Sequence, residues 1–184
     1  MQHPDPKFFI VTGGPGSGKT TLIEALAARG HPVVAESGRQ IIKEQMATGG
    51  QALPWADRTA FAAAMLTQAI DEHRRNRASH RPVFFDRGIP DVIGYLSLVG
   101  LPVPAATNDA ARHYRYDTRV FIAPPWPEIF TQDSERKQSF EEAEHTFEAM
   151  TRVYPRYGYR LVELPRTGVD ERVAFVERHC GARR

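Results

Sequence analysis

A short apolar run, FFIVT, leads directly into GGPGSGKTTLI, and that junction restricts the chain to a narrow set of folds. Gly13, Gly14, Pro15, Gly16, Ser17, Gly18, Lys19 and Thr20 fill the pattern G-x-x-x-x-G-K-[ST] at every position, with a strand pattern before it and a helix pattern after it. Glycines let successive backbone N–H groups turn inward without Cβ clashes, and the N-terminus of the following helix adds its partial positive charge. Such a loop wraps phosphate. Lys19 is placed to reach the β- and γ-phosphates and the Thr20 hydroxyl to meet Mg²⁺, with Thr21 beside it on the nucleotide.

The rest of the chain alternates short apolar runs with longer helical patterns, the arrangement of a parallel sheet covered on both faces. Strands are expected at 8–12, 32–35, 83–85, 119–122 and 159–164, and helices at 19–29, 38–47, 56–78, 90–99, 105–114, 140–156 and 169–179. The reading is an α/β, three-layer P-loop sandwich on a five-stranded parallel sheet, in a single domain over residues 1–184. Ser139 with Glu142 forms a capping box at the sixth helix, Thr167 with Asp170 forms another at the seventh, and Gly158 falls where a left-handed cap residue belongs. The Pro-punctuated, charged segment from about 125 to 138 leaves the sheet and reads as a kinase-like lid. Within it Arg136 and Lys137 carry positive charge suited to developing phosphate charge, Arg136 being the better candidate because its guanidinium forks.

Two other strand ends bring acidic and basic groups to the ligand side of the sheet. In VFFDRG, Asp86 follows the third strand, where an acidic residue holds Mg²⁺, and Arg87 comes next, with Asp91 four residues on. In PVVAESGRQII, Glu36 follows the second strand and is placed to accept a proton from a substrate hydroxyl, with Arg39 one turn later. After the last strand, Arg166 in LPRTG is positioned to stack on a nucleotide base.

Taken together, GGPGSGKTTLI, VVAESGRQII, VFFDRGIPDVIGYL and FEEAEHTFEAMTRVYPRYGYRLVELPR resemble the AAA-domain family of small P-loop ATPases grouped with the ribosylnicotinamide kinase domain of NadR. More distantly, the layout is similar to deoxynucleoside kinases. The resemblance implies that Glu36 is the general base, Arg87 the arginine near the transferred phosphate, Asp91 a substrate-hydroxyl contact and Asp86 an acidic metal-site residue. It also implies ATP with Mg²⁺ as the donor. Gly88 departs from the serine those kinases usually carry.

Composition narrows the partners. With 184 residues, 41% hydrophobic and 25% charged, a net charge of +2, seven histidines and one cysteine, the chain has the make-up of a globular protein with no disulfide framework. No stretch approaches the roughly 20 apolar residues of a membrane span. The expected partner is a small-molecule phosphate acceptor in the cytoplasm, with no nucleic acid and no membrane; the oligomeric state is left open. Arg74, Arg75 and Arg77 read as a solvated helix end, Cys180 as a core residue, and Tyr114, Tyr116 and Trp126 as candidates for an interface. Two functions stand: an ATP-dependent kinase acting on a hydroxyl-bearing nucleoside or ribosyl acceptor, and a nucleotide-dependent switch acting through a protein partner. The N-K-x-D pattern of regulatory GTPases is absent, and Asp86-Arg87-Gly88 lacks their D-x-x-G spacing.

Overall fold

Phe8, Phe9, Ile10 and Val11 are all fully buried, which requires cover on both faces of the strand that carries them. The computed structural model, which describes residues 7–130 and 139–181, supplies that cover. The strands are β1 (Phe8–Gly13), β2 (Val33–Val34), β3 (Val83–Asp86), β4 (Arg119–Ala123) and β5 (Arg160–Glu163), all parallel, in the order β2-β3-β1-β4-β5. The helices are α1 (Lys19–Ala28), α2 (Ser37–Thr48), α3 (Arg58–Arg75), α4 (Ile89–Leu98), α5 (Ala105–His113), α6 (Phe140–Arg156) and α7 (Val169–Gly181).

Strand alternation assigns each face its cover. Phe9, Val11, Phe84 and Phe121 point toward α1 and α7, where Leu22, Leu26, Val173, Val176 and Cys180 meet them. Phe8, Ile10, Phe85 and Val120 point the other way, toward Ile89 and Ile93 of α4, Ala110 and Ala111 of α5, and Met150, Val153 and Tyr154 of α6. Burial pushes the Cys180 thiol up to about 12, so it packs as an inert small hydrophobe. Tyr116 is likewise core, which removes it from any interface surface, and Tyr114, half-buried, packs edge-on against His73.

The ends of α6 follow the sequence signals. Ser139 Oγ accepts the Glu142 N–H at 3.1 Å, Glu142 accepts the Ser139 N–H in return, and Gly158 takes φ 78°. α7 begins differently. Arg172 N–H bonds Gly168 O at 3.1 Å, so Gly168 rather than Thr167 occupies the cap position. The Thr167 hydroxyl is left buried without a partner. Among the described residues, no helix is long and apolar enough to cross a membrane.

At the end of the sheet away from the phosphate loop, His73 of α3 is enclosed by Phe8, Tyr114 and Tyr116, with Nε2 2.9 Å from Arg115 O. Burial lowers its pKa, and Arg77 and His113 lower it further against the pull of the Arg115 carbonyl. The folded protein therefore resists a proton that the unfolded chain accepts near the ordinary imidazole value of about 6.5. Stability should be complete above that pH and fall below it, by at most about 1.4 kcal/mol per pH unit from this group. Urea unfolding at pH 7.5 and 5.5 should show a larger acid loss for the wild type than for His73→Gln.

Candidate functional site

Parallel strands end on one side of a sheet, and the register here sets which residues meet there. Val34 lies opposite Phe85 and Val11 opposite Asp86, so Glu36, just beyond β2, is carried to the level of Arg87, just beyond β3. Arg87 has φ 75°, a left-handed backbone uncommon for a residue with a side chain. Three contacts hold it so: its N–H donates to Val11 O at 2.9 Å, Nε donates to Glu36 Oε1 at 3.2 Å, and Nη1 donates to Asp91 Oδ1 at 3.4 Å. A strained residue over-determined by its surroundings marks a candidate functional position. Burial opposes the charged guanidinium, but Glu36, Asp91 and Asp86 outweigh that opposition and hold its pKa above the ordinary value.

The phosphate loop follows β1. Its shape is fixed internally: Lys19 Nζ donates to Gly14 O at 2.6 Å and Ser17 Oγ to the same carbonyl at 2.8 Å. Its outer side is pressed by the rest of the fold. A Cβ on Gly14 would lie 2.3 Å from Ala143 O, so only glycine lets the first turn of α6 reach the loop.

Two cavities open from these strand ends. The first, about 490 Å³, is lined by Pro15 through Thr21, Glu36 and Arg39, then by Trp126, Ile129 and Phe130 after β4 and by Thr167, Gly168, Val169 and Arg172 at the start of α7. The second, about 540 Å³, is bounded by Glu36, Asp86, Arg87 and Asp91 on the sheet side. Trp55, Arg58, Phe61 and Met65 border it from α3 and the turn before it, and Tyr95 from α4. Phe61 and Tyr95 meet edge to face at 5.5 Å, giving this cavity an aromatic wall. Pro15 and Glu36 line both cavities.

The expected site residues thus separate. Gly14 is buried under Ala143, while Pro15, Gly16, Ser17, Gly18, Lys19, Thr20 and Thr21 line the first cavity; Gly13 closes the strand below them with φ 130°. Arg39, expected with the substrate, lines the phosphate-loop cavity instead. Asp86, Arg87 and Asp91 border the second cavity. Arg166 is exposed and outside both linings; its neighbours Thr167, Gly168 and Val169 take that wall. Arg136 and Lys137 lie outside the described residues, as does most of the expected lid. The described start of that segment, a 3-10 turn at Pro127–Ile129, is followed by Phe130, whose ring would be 2.5 Å from a Cβ on Gly16. Trp126 lines the wall of the first cavity.

Three features were not anticipated. Arg172 donates to the phosphate-loop carbonyls from α7, Thr167 faces the first cavity with an unpaired hydroxyl, and Asp91 is almost wholly engaged by protein donors. Its Oδ1 accepts from Thr12 Oγ1 and Arg87 Nη1; its Oδ2 accepts from the Gly88 N–H at 2.8 Å and from the Tyr154 hydroxyl. Gly88 also has a packing reason: a Cβ there would lie 2.4 Å from Ile10 Cδ1.

A magnesium ion fits the residues on the loop side of β3. Asp86 Oδ1 is buried without a hydrogen-bond partner. Burial first, then Glu36 and Asp91, push the Asp86 carboxyl up to about 6 against the pull of Lys19 and Arg87. Around it three carboxylates face two cations, an imbalance that a divalent ion relieves. Mg²⁺ takes one or two protein oxygens together with phosphate oxygens and water, and Asp86 with the exposed Thr20 hydroxyl offers such a set.

A parallel sheet in this order, a complete phosphate-binding loop and an acidic residue at the end of β3 define a P-loop nucleotide-binding protein. The chain belongs to an AAA-domain family, whose model matches residues 8–172. It is similar in fold to the structure of NadR in complex with NR, at 22% identity and TM-score 0.73, covering 97% of this chain and 52% of that one. NadR in complex with NAD and AMP-PNP aligns at 21% identity and TM-score 0.71, covering 97% and 51%. The thymidylate kinase from Ehrlichia chaffeensis aligns at 15% identity and TM-score 0.64, covering 96% and 100%. The chain spans about half the length of the NadR chains it matches. No curated protein matches its sequence.

Proposed function

We propose that this protein is an ATP- and Mg²⁺-dependent kinase that transfers the γ-phosphate to a hydroxyl of a small nucleoside or ribosyl compound. The observation that carries this reading is Glu36, which lines both cavities and is paired with Arg87. A hydrolase needs one cavity and a water; a transferase needs two that meet at a base. The fold shared with a thymidylate kinase and a deoxyadenosine kinase supports the same reading.

In this mechanism the triphosphate lies in the first cavity, with its outer phosphates among the loop amides and Lys19. The base extends toward Trp126 and Thr167. The acceptor enters the second cavity, its flat ring against Phe61 and Tyr95 and its reacting hydroxyl against Glu36, which takes the hydroxyl proton as the oxygen attacks phosphorus. Arg87 and Arg39 flank Glu36 and stabilise charge on the phosphoryl oxygens in transit. Thr20 and Asp86 would hold Mg²⁺, which when bound neutralises phosphate charge and orients the phosphates. In this reading the fold works as one nucleotide-binding unit in the cytoplasm, without nucleic acid.

The test is incubation with γ-labelled ATP, Mg²⁺ and a panel of nucleosides and ribosyl compounds. Label appearing on an acceptor hydroxyl, with ADP release dependent on that acceptor, is the expected result. Slow ATP hydrolysis indifferent to every acceptor would overturn the kinase reading in favour of a switch.

A further inference from the structure

Arg172 has a cost that its surroundings do not obviously repay. It lies in the first turns of α7 with only 3% of its surface exposed, burial lowers its pKa, and no carboxylate among the described residues is paired with it. Its guanidinium turns instead to main-chain oxygens of the phosphate loop. Nη1 and Nη2 each donate to Ser17 O at 3.2 Å, and Nη1 also approaches Gly18 O at 3.5 Å. Trp126 stacks behind it at 5.9 Å.

Peptide geometry turns this contact into a consequence for the ligand. In a trans peptide the C=O and the following N–H point in opposite directions. Holding the Ser17 and Gly18 carbonyls outward therefore directs the Gly18 and Lys19 N–H groups into the loop, where phosphate is bound. A cation on the carbonyl also polarises the peptide and strengthens its N–H as a donor. Gly18 is shaped by the same contact: it takes φ 77°, and a Cβ on it would lie 2.6 Å from Arg172 Nη1.

We infer that Arg172 is a positioning residue for nucleotide phosphate, acting through the Ser17 and Gly18 carbonyls from outside the loop. This rests on the reading of the first cavity as the nucleotide site. In this role Arg172 acts on the loop amides that meet phosphate rather than on the phosphate itself. The planar fork that Nη1 and Nη2 make on Ser17 O cannot be reproduced by an ammonium, so lysine should replace it only in part.

The test measures binding of ATP and of inorganic tripolyphosphate, each with Mg²⁺, to the wild type, Arg172→Gln and Arg172→Lys. Arg172→Gln should weaken both ligands by the same factor, on the order of 10- to 100-fold for lost charge-assisted hydrogen bonds. Arg172→Lys, which keeps the buried stem and the charge, should fall between and decides the matter if the glutamine variant does not fold. The Gly18 and Lys19 amide resonances of the ligand-free variants should shift relative to the wild type. Loss of ATP affinity with tripolyphosphate unchanged would overturn the inference, because Arg172 would then read the base. Unchanged binding of both ligands would overturn it too. A wild type that binds neither ligand would remove the nucleotide-site reading, and this inference with it.

Discussion

Glu36→Gln should lower acceptor phosphorylation by about 10²- to 10⁴-fold, the usual contribution of a positioned general base, while leaving ATP affinity unchanged or slightly tighter. The substitution keeps the volume of the side chain and an oxygen able to accept the Arg87 Nε–H now donated to Glu36 Oε1. What it removes is the capacity to take a proton. It also removes one of the negative charges that balance Arg87, so the guanidinium is freer to attract phosphate. A loss confined to kcat with acceptor present, alongside normal ATP binding by calorimetry, is the expected pattern. Undiminished transfer would show that Glu36 only anchors Arg87, and the base would then have to be sought elsewhere on the second cavity.

The fold was legible where burial is two-sided. β1, β3 and β4 read as continuous apolar runs because helices cover both faces, and the phosphate loop is legible because its backbone path demands glycine. β2 is only two residues long and half-exposed, yet its place follows from the run before Glu36. The placement of the candidate site residues was legible at strand ends, where topology brings Glu36, Asp86 and Arg87 to one side. Contacts between distant elements were not. Arg172 meets Ser17 across 155 positions, and on its own helix it looks like any solvated charge. Thr167 and Asp170 satisfy a capping pattern that the chain does not use, because the helix starts one residue later. The resemblance implied a substrate-hydroxyl contact for Asp91, and its spacing from Arg87 placed it at the same crevice. Spacing reports the shared helix face but not Thr12 and Tyr154, which reach it from β1 and α6.

Those two partners make Asp91 the residue whose loss should cost the most stability. It is 5% exposed and accepts hydrogen bonds from Thr12, Arg87, the Gly88 N–H and Tyr154, so it ties β1, the strained end of β3, the start of α4 and the middle of α6 to one carboxylate. Asp91→Ala leaves these donors without their acceptor and a buried guanidinium short of a counter-charge. Breaking a buried ion pair from one side costs about 3–5 kcal/mol, and urea unfolding should show a loss of that size. Tyr154→Phe should cost only about 1 kcal/mol, since it removes one donor and leaves Asp91 with others. Combining it with Asp91→Ala should add little, because the hydrogen bond that Tyr154→Phe removes is already gone. If the two losses simply add, Asp91 and Tyr154 act independently, and the tie between α6 and the sheet end must rest on packing alone. Activity supplies a second readout. Asparagine keeps one acceptor oxygen but turns an NH2 toward donors and removes a negative charge facing Arg87, so a folded Asp91→Asn variant should retain ATP binding yet transfer phosphate more slowly, its guanidinium held less firmly between the two cavities.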